Sequence, residues 1–174
     1  MSGLLSKGLL SEKAVSGNPV YNPIAYLYNA GNSHVALTGG WSSSGYSFYS
    51  GYTVIAPVIN PDHIALTTPN ASYRVAMAGT ANAIDLTPYT SIKALFEHVY
   101  VANHILYLHV SLGKTNTEAN SIGKAQANPT KSGLIELTID VTAINQSCYI
   151  DAAHSNGGFS TQGSTTKLLK VWLE

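Results

Sequence analysis

SIKALFEHVYVANHILYLHVSL, residues 91–112, is the stretch on which the fold turns. Leu95, Val99 and Val101 alternate with Phe96, His98 and Tyr100; past Ala102-Asn103 the alternation resumes with Leu106, Leu108, Val110 and Leu112 against Ile105, Tyr107 and His109. Side chains on a strand point to opposite faces with a period of two, so this spacing predicts a β-hairpin. With Ala102 and Asn103 as its two-residue turn, Val101 faces His104, Val99 faces Leu106 and His98 faces Tyr107. One face is then nearly all aliphatic, and the other carries His98, Tyr100, Tyr107 and His109. A lone hairpin does not stay folded in water, so the aliphatic face requires a second layer. The expectation is a two-sheet sandwich with this hairpin near its centre. Glu97 falls on the aliphatic face at the same parity as Lys93, which predicts a partly exposed ion pair between them at the sheet rim, since an unpaired buried charge is costly.

Composition narrows the partners. A single domain of 174 residues buries roughly 70% of its unfolded surface and needs no covalent staple. One cysteine, Cys148, leaves no internal disulfide framework and no multi-cysteine zinc site; between Ser147 and Tyr149-Ile150 it reads as an inert buried thiol. Nine basic and nine acidic residues cancel, and 10% of residues are charged, which leaves little to bind a phosphate backbone or an anionic membrane. Neither nucleic acid nor membrane is an expected partner. Ser, Thr, Asn, Gly and Tyr in this abundance suit a surface that meets sugars or other proteins.

Along the chain, Gly17-Asn18-Pro19 and Asn22-Pro23 set residues 1–23 apart as a connector, with Leu4, Leu5, Leu9 and Leu10 able to line one face of a short helix or to lie in a disordered leader. Lys7 and Glu12 interrupt that apolar pattern, so no signal peptide or membrane span is expected there and synthesis is cytoplasmic. Strands are expected at Ile24 to Asn29, His34 to Thr38, Tyr52 to Ala56, His63 to Thr68, Tyr73 to Ala78, Ile84 to Leu86, Leu134 to Val141, Cys148 to Ala153 and Lys167 to Leu173. Pro57, Pro61 and Pro69 punctuate them. Residues 113–133 read as one long polar loop. About ten short strands with frequent turns and no sustained helical period suggest an all-β, antiparallel jelly-roll β-sandwich over residues 24–174.

Five strings carry a resemblance: LYNAGN (27–32), LTGGW (37–41), IDLTPYTSIKA (84–94), LTIDVTAINQSCYI (137–150) and KVWLE (170–174). Together they resemble a jelly-roll module found in tail and baseplate-associated proteins of phages and prophages of Gram-positive bacteria, related in phrasing to galactose-binding-like sandwiches and carbohydrate-binding modules. The resemblance implies a non-catalytic module on a virion tail that touches cell-surface glycan and other virion proteins and assembles as a homo-oligomer. It also implies a structural Ca²⁺ near the first strand and the carboxyl end. Here that turn reads Asn29-Ala30-Gly31-Asn32 without a carboxylate, which argues against the ion.

Two candidate ligand surfaces stand out. In the Ser- and Gly-rich segment 39–52, Trp41, Tyr46, Tyr49 and Tyr52 offer flat rings for stacking on sugars, or a sandwich edge and subunit contact. The hairpin face of His98, Tyr100, Tyr107 and His109 offers a polar-aromatic groove, or a half-wet sheet surface; a metal there lacks a third ligand. Catalytic signatures are missing: no nucleophile elbow, no phosphate loop, no dinucleotide fingerprint, and Asp85, Asp140 and Asp151 sit in strand-end phrases. The expected function is therefore carbohydrate recognition or adhesion without catalysis and without cofactor. The alternatives are a purely structural tail oligomerisation domain and an accessory domain of a glycan-degrading enzyme, which two carboxylates facing across a cleft would favour.

Overall fold

The computed structural model describes residues 25–29, 41–43 (as backbone only), 52–113, 121–158 and 160–174. The connector expected at 1–23, the strand expected at 34–38 and the rings of Trp41, Tyr46 and Tyr49 lie outside the described residues. Thirteen strands are described: β1 (Ala25–Asn29), β2 (Trp41–Ser43), β3 (Thr53–Ile55), β4 (Val58–Ile59), β5 (Ile64–Thr68), β6 (Arg74–Thr80), β7 (Ile84–Asp85), β8 (Ser91–His98), β9 (Ile105–Ser111), β10 (Ser121–Ala127), β11 (Gly133–Asp140), β12 (Ser147–Ser155) and β13 (Ser164–Leu173). No helix occurs among the described residues.

They form two sheets. One runs β11-β8-β13-β5-β4, with β1 added along β13; the other runs β10-β9-β12-β6-β2, with β3 joining β6 and β7 joining β12. Taken in chain order, the eight strands β5, β6, β8, β9, β10, β11, β12 and β13 divide between the sheets so that first, last, third and sixth lie side by side in one layer and second, seventh, fourth and fifth in the other. That double Greek key is a jelly roll. The all-β jelly-roll sandwich expected from the sequence is the fold observed, antiparallel among the described strands except where β3 joins β6 in parallel.

The core lies between the layers. Ile92, Ala94, Phe96 on β8, Leu168 and Val171 on β13, and Ile64 and Leu66 on β5 meet Leu106, Leu108 and Val110 on β9, Ile150 and Ala152 on β12, and Ala76 and Ala78 on β6. A smaller cluster of Val75, Met77, Tyr107 and Ala153, with Tyr52, Val54 and Ile105 packed against it, occupies the other face of the second sheet. Strands β6, β9 and β12 are therefore buried on both faces.

Three expectations need correcting. First, residues 91–112 are not a hairpin: β8 pairs with β11 and β13, whereas β9 pairs with β10 and β12. The turn at Ala102-Asn103 does form, with the His104 N–H donating to the Val101 carbonyl (3.3 Å) and Asn103 at φ 65°, but it sits in an arch that crosses from one sheet to the other. A tight turn sets chain reversal, not the identity of the hydrogen-bonding neighbour. Second, the inward row of β8 is Ile92, Ala94, Phe96 and His98, and the outward row is Lys93, Leu95 and Glu97. The charges agree with that phase: Lys93 pairs with Glu174 (2.7 Å) and Glu97 with Lys167 (3.1 Å), not with each other. Third, β10 lies inside the supposed loop 113–133. Its inward residues are Gly123, Ala125 and Ala127, opposite Val110, Leu108 and Leu106, too small to register as an apolar stripe. A Cβ on Gly123 would come within 3.0 Å of Ile139, so the smallness is required by the facing strand.

On the face of the second sheet turned away from the core, cross-strand register places Lys124, His109, Asp151 and Gly79 in one row and Gln126, Tyr107, Ala153 and Met77 in the next. Tyr107 and His109 stack, with ring centroids 5.4 Å apart and planes 13° from parallel, and the Lys124 ammonium lies 5.5 Å from the Tyr107 ring centre. Asp151, read as a strand-end residue, is in mid-strand and buried. Burial first, and then Lys124, pushes His109 down to about 3.

Two outcomes follow for stability. Phe96→Ala is expected to cost about 3–5 kcal/mol, and Leu95→Ala less than half as much; equal costs in urea unfolding would mean the phase of β8 is wrong. For His109 the folded value is depressed, so its contribution is intact above the ordinary 6.5 and is lost as pH falls from there toward about 3. Between pH 7 and 4 the wild type is expected to lose more unfolding free energy than His109→Gln, the difference being on the order of a few kcal/mol, measured from urea midpoints at each pH.

Candidate functional site

Strand order brings four connections to one end of the sandwich: 69–73 after β5, 99–104 after β8, 128–132 after β10, and 156–163 after β12. Register confirms the grouping, since His98 lies beside both Thr166 and Gly133, and Ser155 beside both Val75 and Ile105. Hydrogen bonds then tie the connections together. Tyr73 N–H donates to the Gly157 carbonyl (3.2 Å), Asn156 N–H to the Arg74 carbonyl (3.1 Å), and Arg74 N–H to Asn156 Oδ1 (2.9 Å). The Asn156 amide also donates to the Ala71 carbonyl, and Gly163 N–H donates to Asn70 Oδ1 (2.7 Å). Tyr100 N–H donates to Ser132 Oγ (2.8 Å). Beside that last bond the 128–132 turn borders an open pocket of about 480 Å³ whose lining includes Asn128, Thr130, Lys131, Ser132 and Leu134.

One aromatic corner stands on this end. Tyr73 is 49% exposed and holds a backbone φ of 56°, a left-handed conformation that a bulky side chain rarely adopts because Cβ crowds the carbonyl oxygen. Three contacts impose it: the Gly157 bond to its N–H, the Thr53 N–H donating to its carbonyl (2.9 Å), and the fully buried Asn156 gripping residues on either side. Its ring meets Tyr52 edge to face, centroids 5.4 Å apart and planes at 83°. Gly158 also lies against the ring, and an added Cβ there would come within 2.7 Å of it. Arg74 Nη1 donates to Thr53 Oγ1 (3.0 Å) and to the Ser72 carbonyl (3.2 Å), bracing the same corner.

Beneath the connections, between the sheets, three histidines form the floor. His98 from β8, His104 from the arch and His154 from β12 are all buried, with ring centroids 6.4 Å (His98 to His104), 5.5 Å (His98 to His154) and 4.9 Å (His104 to His154) apart. His98 Nδ1 meets Thr166 Oγ1 at 2.7 Å, while its Nε2 has no hydrogen-bond partner among the described residues. His104 Nδ1 meets His154 Nε2 at 2.8 Å. Burial pulls His98 and His104 below the ordinary value, and pulls His154 to about 3 against the opposing pull of the Leu66 carbonyl. Among the described residues no group of three His, Cys, Asp or Glu side chains is arranged to hold a metal ion.

The residues singled out in the sequence are thus dispersed. Tyr52 belongs to the exposed corner. Tyr100 is exposed on the arch, His98 is in the floor, and Tyr107 and His109 are buried on the far face of the second sheet. Trp41 aligns with Thr80, at the end of β6 opposite Tyr73. Tyr73, His104 and His154 carry no local signal of a site, since the partners that define them, Gly157 for Tyr73 and His154 for His104, are brought close only by the jelly-roll order. Asp85 and Asp140 are turn residues, each accepting from the N–H two places on, Thr87 (3.0 Å) and Thr142 (2.9 Å). Cys148 is buried, and burial raises its pKa.

No protein-family model matches the chain, and no curated protein matches it. Among solved structures, similarity extends to a mixed-linkage glucan family 16 glycoside hydrolase from Bacteroides ovatus, 10% identical over 84% of this chain and 98% of that one, TM-score 0.49. It extends also to a family 11 carbohydrate-binding module from Clostridium thermocellum bound to a mixed-linked tetrasaccharide, 12% identical over 86% of this chain and 94% of that one, TM-score 0.48.

Proposed function

We propose that this domain is a non-catalytic recognition module whose loop end, centred on the Tyr52–Tyr73 corner, takes carbohydrate. The observation that carries the reading is Tyr73: a half-exposed ring kept on strained backbone, with Tyr52 edge to face against it and Gly158 close to its outer atoms. Non-glycine residues in the left-handed region cost of order 1–3 kcal/mol and persist where the surroundings over-determine them, commonly at ligand sites. A fixed tyrosine supplies large contact area with few rotatable bonds, which suits the apolar face of a pyranose. Neighbouring hydroxyl and guanidinium groups on Thr53, Ser72 and Arg74 offer hydrogen bonds at its rim. Such binding is shallow, and display in several copies would strengthen it. The tail of a virion is the setting in which we place the module, on the strength of the five strings that resemble tail and baseplate proteins. A second reading, a structural oligomerisation domain, is favoured by exposed Val99, Tyr100 and Leu134 around the arch and the 128–132 turn.

A glycan array with fluorescently labelled protein tests this reading. Tyr73→Ala is expected to lower affinity for any bound glycan at least about tenfold, equivalent to ~1.4 kcal/mol, with the fold retained. Gly158→Ala is expected to do nearly the same by displacing the ring, at little cost in stability, because the atoms it meets are the far end of a side chain. Wild-type binding that both variants preserve would remove the corner as the site. Absence of binding by wild type, together with a concentration-dependent oligomer lost in Leu134→Ser, would establish the second reading instead.

A further inference from the structure

The floor of the loop end contains a chain of four ring nitrogens whose proton count can be read from its two ends. His154 Nδ1 lies 3.0 Å from the Leu66 carbonyl oxygen, His154 Nε2 lies 2.8 Å from His104 Nδ1, and His104 Nε2 lies 2.8 Å from the Gln162 carbonyl oxygen. A carbonyl oxygen only accepts, so each terminal nitrogen must carry a hydrogen. The central nitrogen-to-nitrogen contact needs one more. Three hydrogens on four nitrogens is one above what two neutral imidazoles bring.

The nearby hydroxyls do not supply the difference. Ser160 Oγ lies 3.4 Å from both His104 Nε2 and the Gln162 carbonyl oxygen and has one hydrogen to give either of them in a neutral pair, but the 2.8 Å contact between those two atoms is then still lone pair against lone pair. Ser164 Oγ, 3.1 Å from His104 Nδ1, can donate there, but then two lone pairs face each other across the central contact. Every neutral arrangement leaves one short contact without a proton, and a buried unmatched acceptor costs about 1–3 kcal/mol. A doubly protonated pair fails for the opposite reason, with two N–H groups pointed at each other.

We propose that His104 and His154 hold a single proton between them, taken up from water, and that its uptake fastens the β12–β13 connection at Gln162 to the arch at His104. The same proton joins Leu66 of one sheet to His154 of the other, so the clasp spans both layers as well as two loops. The groups facing it are His98 from β8, the Thr166 hydroxyl of β13 on His98, the Leu66 carbonyl from β5, and Ser160, Ser164 and the Gln162 carbonyl from the connection; no carboxylate touches the three rings among the described residues. With no counter-ion present, burial opposes the charge while two carbonyls and a neutral imidazole solvate it. Coupled groups of this kind titrate as a unit, one proton admitted and the second refused. The inference stands whether or not the loop end binds sugar.

Long-range nitrogen–proton NMR on protein labelled with ¹⁵N-histidine, titrated from pH 8 to 4, tests it. The expected result is uptake of one proton by the two rings jointly at a midpoint above about pH 4, where burial alone would keep both neutral, with slower amide exchange at Gly163 and Ser164 once it is bound. Thr166→Val, which removes only the partner of His98, is expected to keep the event, and His104→Gln to abolish it. A wild-type pair that stays neutral to pH 4, or that takes two protons, overturns the proposal; both results come from the wild type and do not depend on how the variants fold.

Discussion

Between Val99 and His104 the chain leaves one sheet and enters the other, and the order of every later strand follows from that crossing. Because β9 starts in the opposite layer, its neighbours must come from β10 and β12, while β8 is left to β11 and β13. The crossing is held at its corner by Asn103 and at its exit by His104, whose ring reaches the opposite connection. Inter-sheet burial of Phe96, Leu106, Leu108, Ile150 and Leu168 supplies most of the driving force. Burial is nondirectional, though, and it is the arch that decides which faces meet.

The loop end inherits its geometry from this order. Antiparallel strands in a jelly roll deliver alternate connections to opposite ends, so residues far apart in sequence converge without any local motif. Gly157 and Tyr73 meet in this way, as do Tyr100 and Ser132, and His104 and Gln162. Each tie joins two different connections, and the four connections together make a braced surface over a buried polar floor.

Much of the fold was legible in the residues. Period-two alternation in Leu106, Leu108 and Val110 named the inward row of β9 correctly, and turn residues bounded β5, β6, β11, β12 and β13 to within a few positions. What periodicity could not express was partnership. A two-residue turn reads the same in a hairpin and in an arch, and Leu95 is as apolar as Ala94, so apolarity left the phase of β8 open; in the phase observed, Lys93 and Glu97 find partners on β13 and at Glu174. β10 was hidden by the opposite circumstance, an inward row of glycine and alanine dictated by bulk on the facing strands. Of the candidate site, Tyr52 and the exposed Tyr100 were visible as aromatic residues in polar company. Tyr73 was not, since its distinction is a backbone angle, and His104 with His154 was not, since 50 residues separate them.

The left-handed backbone at position 73 also bears on how this chain would change over generations. Selection for folding alone would carry that position toward glycine or asparagine, which adopt the conformation at less cost, and would then free position 158 to grow a side chain. The two positions are linked through the space between them, so a lineage that relinquishes the contact made by the ring should lose both together.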